Sequence, residues 1–402
     1  MKFKYQAINR EGERQKGLVE TLSSQAAERM LVATGLASIE LREIKPNSIE
    51  AFFSKALEGV KPREFVIFSR QLATLIDSKV PLLAAIDSIS NQTENKFFSL
   101  KLKSVMFDID GGSSLSEALS KHPDMFSDFY VSMVKAGEAS GTLQESLNKL
   151  ADNIERNYEL TSSLKGAMYY PAFIIVAMIG VGSLMMVTVI PKLLEILTES
   201  GQVLPLQTRI LIWTSNFMVN YWWAVIIMVV AAVVSVIYYL KTEDGKKQFD
   251  QIILKIPVIG KILHNVYIAR FSENLGTLLQ SGLPIRIALS ITADVVGNSV
   301  FKYIINTAAD EIKKGGNLSD ILGKYEEIPP VMTQMVEVGE HTGRMSFSLG
   351  KITEFYMKES DRMVKNFSTL IEPVLMVVLA IGVGVLVSAI LLPIYQVAMS
   401  IQ

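Results

Sequence analysis

The sequence predicts a mainly α-helical, polytopic membrane protein. Its expected parts are two homologous cytoplasmic helical bundles of about six helices each, three transmembrane helices and a small N-terminal α+β unit. Three observations lead there. Residues 68–85, FSRQLATLIDSKVPLLAA, return as 271–288, FSENLGTLLQSGLPIRIA, and MVKAGEASG at 133–141 returns as MVEVGEHTG at 335–343. Three long windows hold no charged residue: between Lys165 and Lys192, between Arg209 and Lys241, and from Pro373 to Gln402. Half of the chain is hydrophobic while a fifth is charged, which fits polar domains attached to a few spans. A period of 203 residues is far longer than a solenoid repeat, so a whole domain with its membrane anchor is duplicated.

Residues 1–45 read as a separate α+β unit. Phe3, Tyr5 and Ala7, then Leu18 and Glu20, flank the polar run NREGER, which predicts strand, turn at Gly12, strand. Ser23 or Ser24 caps an expected helix over about 25–34, stopped by Gly35, and a third strand follows near 38–44. The opening residues carry no apolar core of signal-peptide length, so the amino terminus is expected to stay on the side of synthesis. Residues 46–61 form a linker with an amphipathic stretch.

The first helical domain, 62–165, opens at Pro62, a residue suited to the first turn of a helix. Phe65, Phe68, Leu72, Leu75 and Ile76 fall on one face, Pro81 interrupts, and Gly111-Gly112 breaks a later helix. Ser114 and Glu117 then have capping-box spacing, with Asn317 and Asp320 as the counterpart in the second domain, 241–370. The last helix of each domain reads as continuous with a membrane span.

The spans are expected at 166–191, 213–240 and 371–398, each longer than the roughly 20 apolar residues that cross a bilayer core. Lys149, Arg156, Lys165, Lys241, Lys246, Lys247, Lys255, Lys358, Arg362 and Lys365 cluster on one side, whereas the loop at 192–212 offers only Lys192 and Arg209. The positive-inside rule therefore places both domains and the amino terminus in the cytoplasm and that loop outside. Tyr221, Trp222 and Trp223 mark the outer end of the second span, and Tyr238 and Tyr239 its inner end. No span carries an interior acid or base, which disfavours a transporter subunit. Gly180, Gly182, Gly382 and Gly384 read equally as close-packing positions or as ordinary glycine usage.

Composition narrows the chemistry. A formal charge of −1 gives no basic surplus for nucleic acid, and there is no cysteine for a disulfide, a thiolate nucleophile or cysteine-ligated zinc. The three histidines, His122, His264 and His341, are widely separated, so neither a metal site nor a catalytic triad is expected. The pairs Gly245-Lys246, Gly260-Lys261, Gly323-Lys324 and Gly350-Lys351 lack the spacing of a phosphate-binding loop. No cofactor is expected, and a sizeable outer domain that would mark a tethered sensor is absent.

The recurrent motif is Gly137-Glu138-Ala139-Ser140-Gly141 and Gly339-Glu340-His341-Thr342-Gly343. One reading is a carboxylate, Glu138 or Glu340, presented between Gly137 and Gly141 or Gly339 and Gly343 to a metal or a partner's arginine. The other is a helix–helix turn in which the first glycine ends one helix and Ser140 or Thr342 caps the next. No base or nucleophile recurs beside it in both repeats, so catalysis is not expected.

With these motifs in order, the chain resembles the inner-membrane platform proteins of type IV pilus assembly and type II secretion, the PilC/GspF family. The resemblance rests on FKYQAINREGERQKGLVE, on LATLIDSKVPL with Pro81 and LGTLLQSGLPI with Pro284, on the two glycine–glutamate turns, on Tyr170-Pro171, and on Ile371-Glu372-Pro373 with Pro393. Lys79 departs from it, standing where the second repeat has Gly282; a positive φ there would strain it modestly. The resemblance implies a non-enzymatic platform of the bacterial inner membrane. Its implied partners are a cytoplasmic assembly ATPase, pilins or pseudopilins, other inner-membrane assembly proteins, membrane lipid and further copies of itself. The expected ATPase-facing surface lies around the two glycine–glutamate turns and the capped helices near 111–120 and 315–322.

Overall fold

The computed structural model describes residues 2–8, 14–20, 28, 32, 36–44, 59–191 and 206–400. The expected turn at Gly12, nearly all of the helix over 25–34, most of the 46–61 linker and the loop residues 192–205 lie outside them.

Three strands, β1 (Lys2–Ile8), β2 (Arg14–Glu20) and β3 (Ala37–Ile44), form an antiparallel sheet in the order β2-β1-β3. Tyr5 pairs with Gly17, and a Cβ at Gly17 would stand 2.7 Å from the Tyr5 hydroxyl, so the glycine makes room for the ring.

Among the described residues six helices follow: α1 (Pro62–Asp77), α2 (Leu82–Gln92), α3 (Lys96–Asp110), α4 (Leu115–Ser120), α5 (Asp128–Ser140) and α6 (Leu143–Leu184). A π-helical turn, Met185–Val189, ends α6. Then come α7 (Leu206–Leu240), α8 (Glu243–Lys255), α9 (Ile259–Gln280), α10 (Ile285–Val295), α11 (Ser299–Ile312), α12 (Leu318–Leu322), α13 (Pro330–Thr342) and α14 (Met345–Ser400). Pro62 opens α1 as expected, and the Glu64 carboxylate accepts the Lys61 N–H at 3.1 Å. Pro81 and Pro284 stand immediately before α2 and α10. There they supply an extended φ/ψ and a carbonyl for the first helical bond, to Ala85 N and Ala288 N.

Among the described residues three helices are long and apolar enough to cross a membrane; they contain Leu143–Thr188, Ile212–Leu240 and Met345–Gly384. α6 and α14 run 42 and 56 residues without interruption. Pro171 lies inside α6 and is buried, and Pro373 lies inside α14 and is exposed. α7 begins at Leu206, and its backbone leaves helical geometry once, at Tyr221.

The chain divides into two compact units. One joins 1–158, 271–296 and 305–350; the other joins 159–270, 297–304 and 351–402. In the first, Phe65, Phe68, Phe98, Phe126 and Tyr130 pack with ring centroids of neighbouring pairs 5.3–6.0 Å apart, and Leu72 and Leu102 are buried too. In the second, Leu160 of α6, Ile262 and Val266 of α9 and Val364 of α14 form an apolar cluster. Nearby the Arg270 guanidinium donates to Thr161 at 3.0 Å.

Candidate functional site

Both glycine–glutamate motifs fold into the same staple. In the first repeat α5 runs through Gly137 and Glu138 and ends at Gly141, which takes φ 71°, the left-handed conformation that glycine adopts at least cost. The Thr142 N–H closes the turn on the Gly137 carbonyl at 2.9 Å. Glu138 points back across the bundle. One carboxylate oxygen accepts the Leu115 N–H at 2.7 Å; the other accepts the Ser116 N–H at 3.3 Å and its hydroxyl at 2.5 Å. A carboxylate thus satisfies the free N–H groups that open α4 and meets the positive end of its dipole.

The second repeat reproduces this. α13 ends at Gly343 with φ 67°, and Arg344 N–H bonds the Gly339 carbonyl at 3.0 Å. Glu340 accepts the Leu318 N–H at 2.5 Å, the Ser319 N–H at 3.0 Å and the Ser319 hydroxyl at 2.5 Å. The inner glycines serve packing rather than turning. A Cβ on Gly137 would stand 2.6 Å from Ser146 Oγ and 3.0 Å from Leu143 Cα; on Gly339 it would stand 3.0 Å from Ser348 Oγ and 3.1 Å from Met345 Cα. Each holds the end of one helix against the start of the next.

Two details differ from the helix-turn expectation. The second glycine of each motif, not the first, ends the helix. Ser140 and Thr342 do not cap the next helix: each hydroxyl donates back to a carbonyl four residues earlier, Ala136 and Val338, at 2.7 Å. The carboxylates are half-buried and engaged inside their own repeats rather than presented as free groups. Of the expected capping boxes, Ser114 with Glu117 is formed. Asn317 makes no cap bond; its amide instead donates to Asp320 at 3.2 Å. Lys79 has φ 64° and its counterpart Gly282 φ 82°, so the lysine does occupy a left-handed turn. Its ammonium reaches Gln144 Oε1 at 2.8 Å.

Three groups escaped the sequence reading. Asn95 and Asn298 stand one repeat apart and cap α3 and α11. Their amides also grip the preceding chain, at the Gly59 carbonyl (2.9 Å) and the Asp250 carbonyl (3.4 Å). Arg70 of α1 forks onto Asp152 and Glu155 of α6 at 2.6 Å, and this bond from Arg70 holds the Glu155 carboxyl below the usual carboxylate range. The same repeat position in α9 is Glu273, whose side chain is only 2 % exposed; Arg156 of α6 donates to it at 2.5 Å. Beside it the buried Asn153 amide donates to Asn274 at 3.0 Å. One face of α6 therefore holds its own repeat through Arg70, and another holds the first helix of the second repeat through Glu273.

His122 is a buried titratable group of the first repeat. Its Nδ1 lies 3.4 Å from the Lys101 ammonium, and Nε2 meets no hydrogen-bonding partner among the described residues. Burial, then the Lys101 charge, pushes its pKa down, against weaker upward pulls from Asp124 and Asp108. Among the described residues no cluster of three or more histidine or acidic side chains is arranged to hold a metal ion.

Sequence comparison reads the same duplication. The family model described as type II secretion system (T2SS), protein F matches twice, at 68–191 and at 271–393. The chain is 35 % identical over 397 residues to a type IV pilus assembly protein PilC of Thermus thermophilus, covering 98 % of each chain. It is 34 % identical over 401 residues to the PilC of Myxococcus xanthus, covering 100 % of this chain and 96 % of that one. With the type II secretion system protein F of Vibrio cholerae it shares 28 % over 398 residues, 98 % of each.

Proposed function

Since the chain belongs to the type II secretion system protein F family, we propose that it is an inner-membrane platform protein that couples a cytoplasmic assembly ATPase to the insertion of pilin subunits into a type IV pilus. The observation that carries this reading is the pair of continuous helices. α6 and α14 each begin directly after a glycine–glutamate staple and extend as single helices into segments apolar enough to span a bilayer. A displacement imposed on either bundle reaches the apolar segment along such a helix, because no loop intervenes to absorb it. The flanking lysines and arginines support a cytoplasmic position for the domains at 62–165 and 241–370 and an outer position for 192–212.

In this reading the chain binds and positions its partners rather than catalysing: it meets the ATPase on the cytoplasmic side and pilins in the membrane, with other assembly proteins and further copies of itself around it. Identities of 34–35 % with the two pilus proteins, against 28 % with the secretion protein, favour the pilus over a secretion pseudopilus. The roles of Glu138 and Glu340 in this reading are internal: they hold α4 and α12 in the orientation that any partner on those helices would meet. Co-purification of the full chain with the assembly ATPase in mild detergent tests the proposal. Retention of the ATPase, together with loss of surface pili on deletion, is expected. Loss of secretion with intact pili would replace the pilus by the secretion alternative, and no retention at all would overturn both.

A further inference from the structure

We propose that α8 lies in the surface of the membrane that α7 crosses, with its apolar stripe among the lipid headgroups and its lysines over anionic phospholipid. Only Lys241 and Thr242 separate the end of α7 at Leu240 from the start of α8 at Glu243. The short join is tight. Thr242 caps α8 by accepting the Gly245 N–H at 3.1 Å, and a Cβ on Gly245 would collide with the Tyr239 carbonyl oxygen. Tyr239 also donates its hydroxyl to Gln248 at 2.9 Å. α8 is thus pinned to the last turn of a helix whose most apolar 18-residue window has no residue buried by protein.

The exposed side of α8 carries Phe249 and Ile252, three residues apart, and Ile256 and Val258 are exposed just beyond its end; Ile252 is 60 % exposed. Lys246, Lys247 and Lys255 are exposed on the same short helix, with Lys241 at its start; Glu243 and Asp244 are the exposed acids, and Asp250 is buried. A strongly amphipathic helix that is polar over most of its surface, with lysines beside a narrow apolar stripe, is the type that lies in a membrane interface. The distal end agrees. The chain turns by 111° between α8 and α9. Val258 takes φ 68°, which a β-branched residue adopts only under constraint, and a Cβ on Gly260 would collide with the Leu254 carbonyl oxygen. The geometry therefore forces the chain off the axis of α8 at the point where its apolar stripe ends. Bilayer lipid is the occupant favoured for this stripe because the stripe continues, across two residues, from a membrane-crossing surface.

The absence of cysteine makes the test direct. Full-length Ile252→Cys and Lys247→Cys, each labelled with an environment-sensitive fluorophore, are reconstituted in vesicles of phosphatidylcholine alone and of phosphatidylcholine with phosphatidylglycerol. For Ile252→Cys we expect strong quenching by lipids spin-labelled near the headgroup, a several-fold loss of quenching by aqueous iodide relative to Lys247→Cys, and a further gain in lipid quenching when phosphatidylglycerol is present. Replacing Lys246, Lys247 and Lys255 by Gln in the Ile252→Cys background should abolish that last gain. Iodide access at Ile252 equal to that at Lys247 would overturn the proposal. So would protection of Ile252 from both quenchers, which would mean a protein surface covers it. These readouts are independent of pilus assembly, so their failure leaves the platform reading untouched.

Discussion

The two repeats hold the same staple in different surroundings. Glu138 and Glu340 make identical sets of bonds to the opening residues of α4 and α12. Several neighbouring positions have nevertheless diverged. Phe126 and Tyr130 of the first repeat are matched by Ile328 and Met332, buried His122 by Tyr325, the capping Ser114 by the non-capping Asn317, and Lys79 by Gly282. Each repeat contributes to both compact units. Two glycines, a glutamate and a serine are thus enough to define the corner of the bundle, and core identity is free to change provided it stays apolar. Arg70 and Glu273 show how divergence also builds the pair: opposite charges at one repeat position bind opposite partners on the same helix, α6.

Paired substitutions separate what is shared from what is not. Removing the carboxylate should have the largest effect. Glu138→Ala or Glu340→Ala leaves part-buried N–H groups without their acceptor, at a cost of about 2–3 kcal/mol each. The second repeat should lose more, because α4 keeps the Ser114 cap and α12 has no equivalent. Thermal unfolding of the full chain in detergent, with hydrogen exchange read separately over 115–120 and 318–322, measures both. Equal exchange in the two variants would show that the Ser114 cap contributes nothing.

Next come the packing glycines. Gly137→Ala drives a methyl group to 2.6 Å from Ser146 Oγ, whereas Gly339→Ala meets Ser348 Oγ at 3.0 Å. Overpacking of this kind costs about 1–3 kcal/mol, with the first repeat at the upper end. Ser146→Gly should rescue Gly137→Ala, and failure to do so in the same unfolding measurement would place the strain on Leu143 instead.

A smaller and pH-dependent difference arises from His122. Its folded pKa is depressed, so the unfolded chain takes up a proton that the folded repeat resists. Stability is full above the ordinary histidine pKa of about 6.5 and falls as the pH drops through that value towards the lower folded one. The second repeat has Tyr325 at this position, so acidification below about pH 6.5 should raise exchange around His122 and leave the matching segment around Tyr325 unchanged. His122→Gln should remove the contrast; if it persists, the acid sensitivity belongs to carboxylates.

Much of this was legible in the sequence because it is local. Pro62, the Ser114–Glu117 box, the turn at Lys79 and the face of Phe68 and Leu72 depend on residues within one or two helical turns. The duplication and the charge-free windows carried the architecture for the same reason. The site itself was half legible. Glycine, glutamate and serine stood out by recurrence, but Glu138 meets Ser116 across 22 residues of chain, and no local pattern announces that pairing. The same holds for Arg156 with Glu273, 117 residues apart, and for Asn95 with Gly59. Comparison of the repeats contained one usable sign, since Leu115, Ser116 and Glu138 recur together as Leu318, Ser319 and Glu340.

The least effect is expected at the turn after α1, and there the two repeats can be exchanged residue for residue. Lys79 has φ 64° and Gly282 φ 82°, so both backbones occupy the same left-handed region, but only the lysine carries a Cβ into it. A non-glycine residue there costs roughly 1–2 kcal/mol. Gly282→Lys should therefore destabilise the second repeat by about 1 kcal/mol. Lys79→Gly should recover less than that in the first. Glycine's extra freedom in the unfolded chain, about 0.5–1 kcal/mol, enters both exchanges equally. What separates them is the Lys79 bond to Gln144 at 2.8 Å, which Lys79→Gly gives up. The exchange is thus asymmetric: the loss at 282 exceeds the gain at 79. Equal and opposite shifts in unfolding temperature would show instead that the Lys79–Gln144 bond is energetically idle and that strain alone separates the two turns.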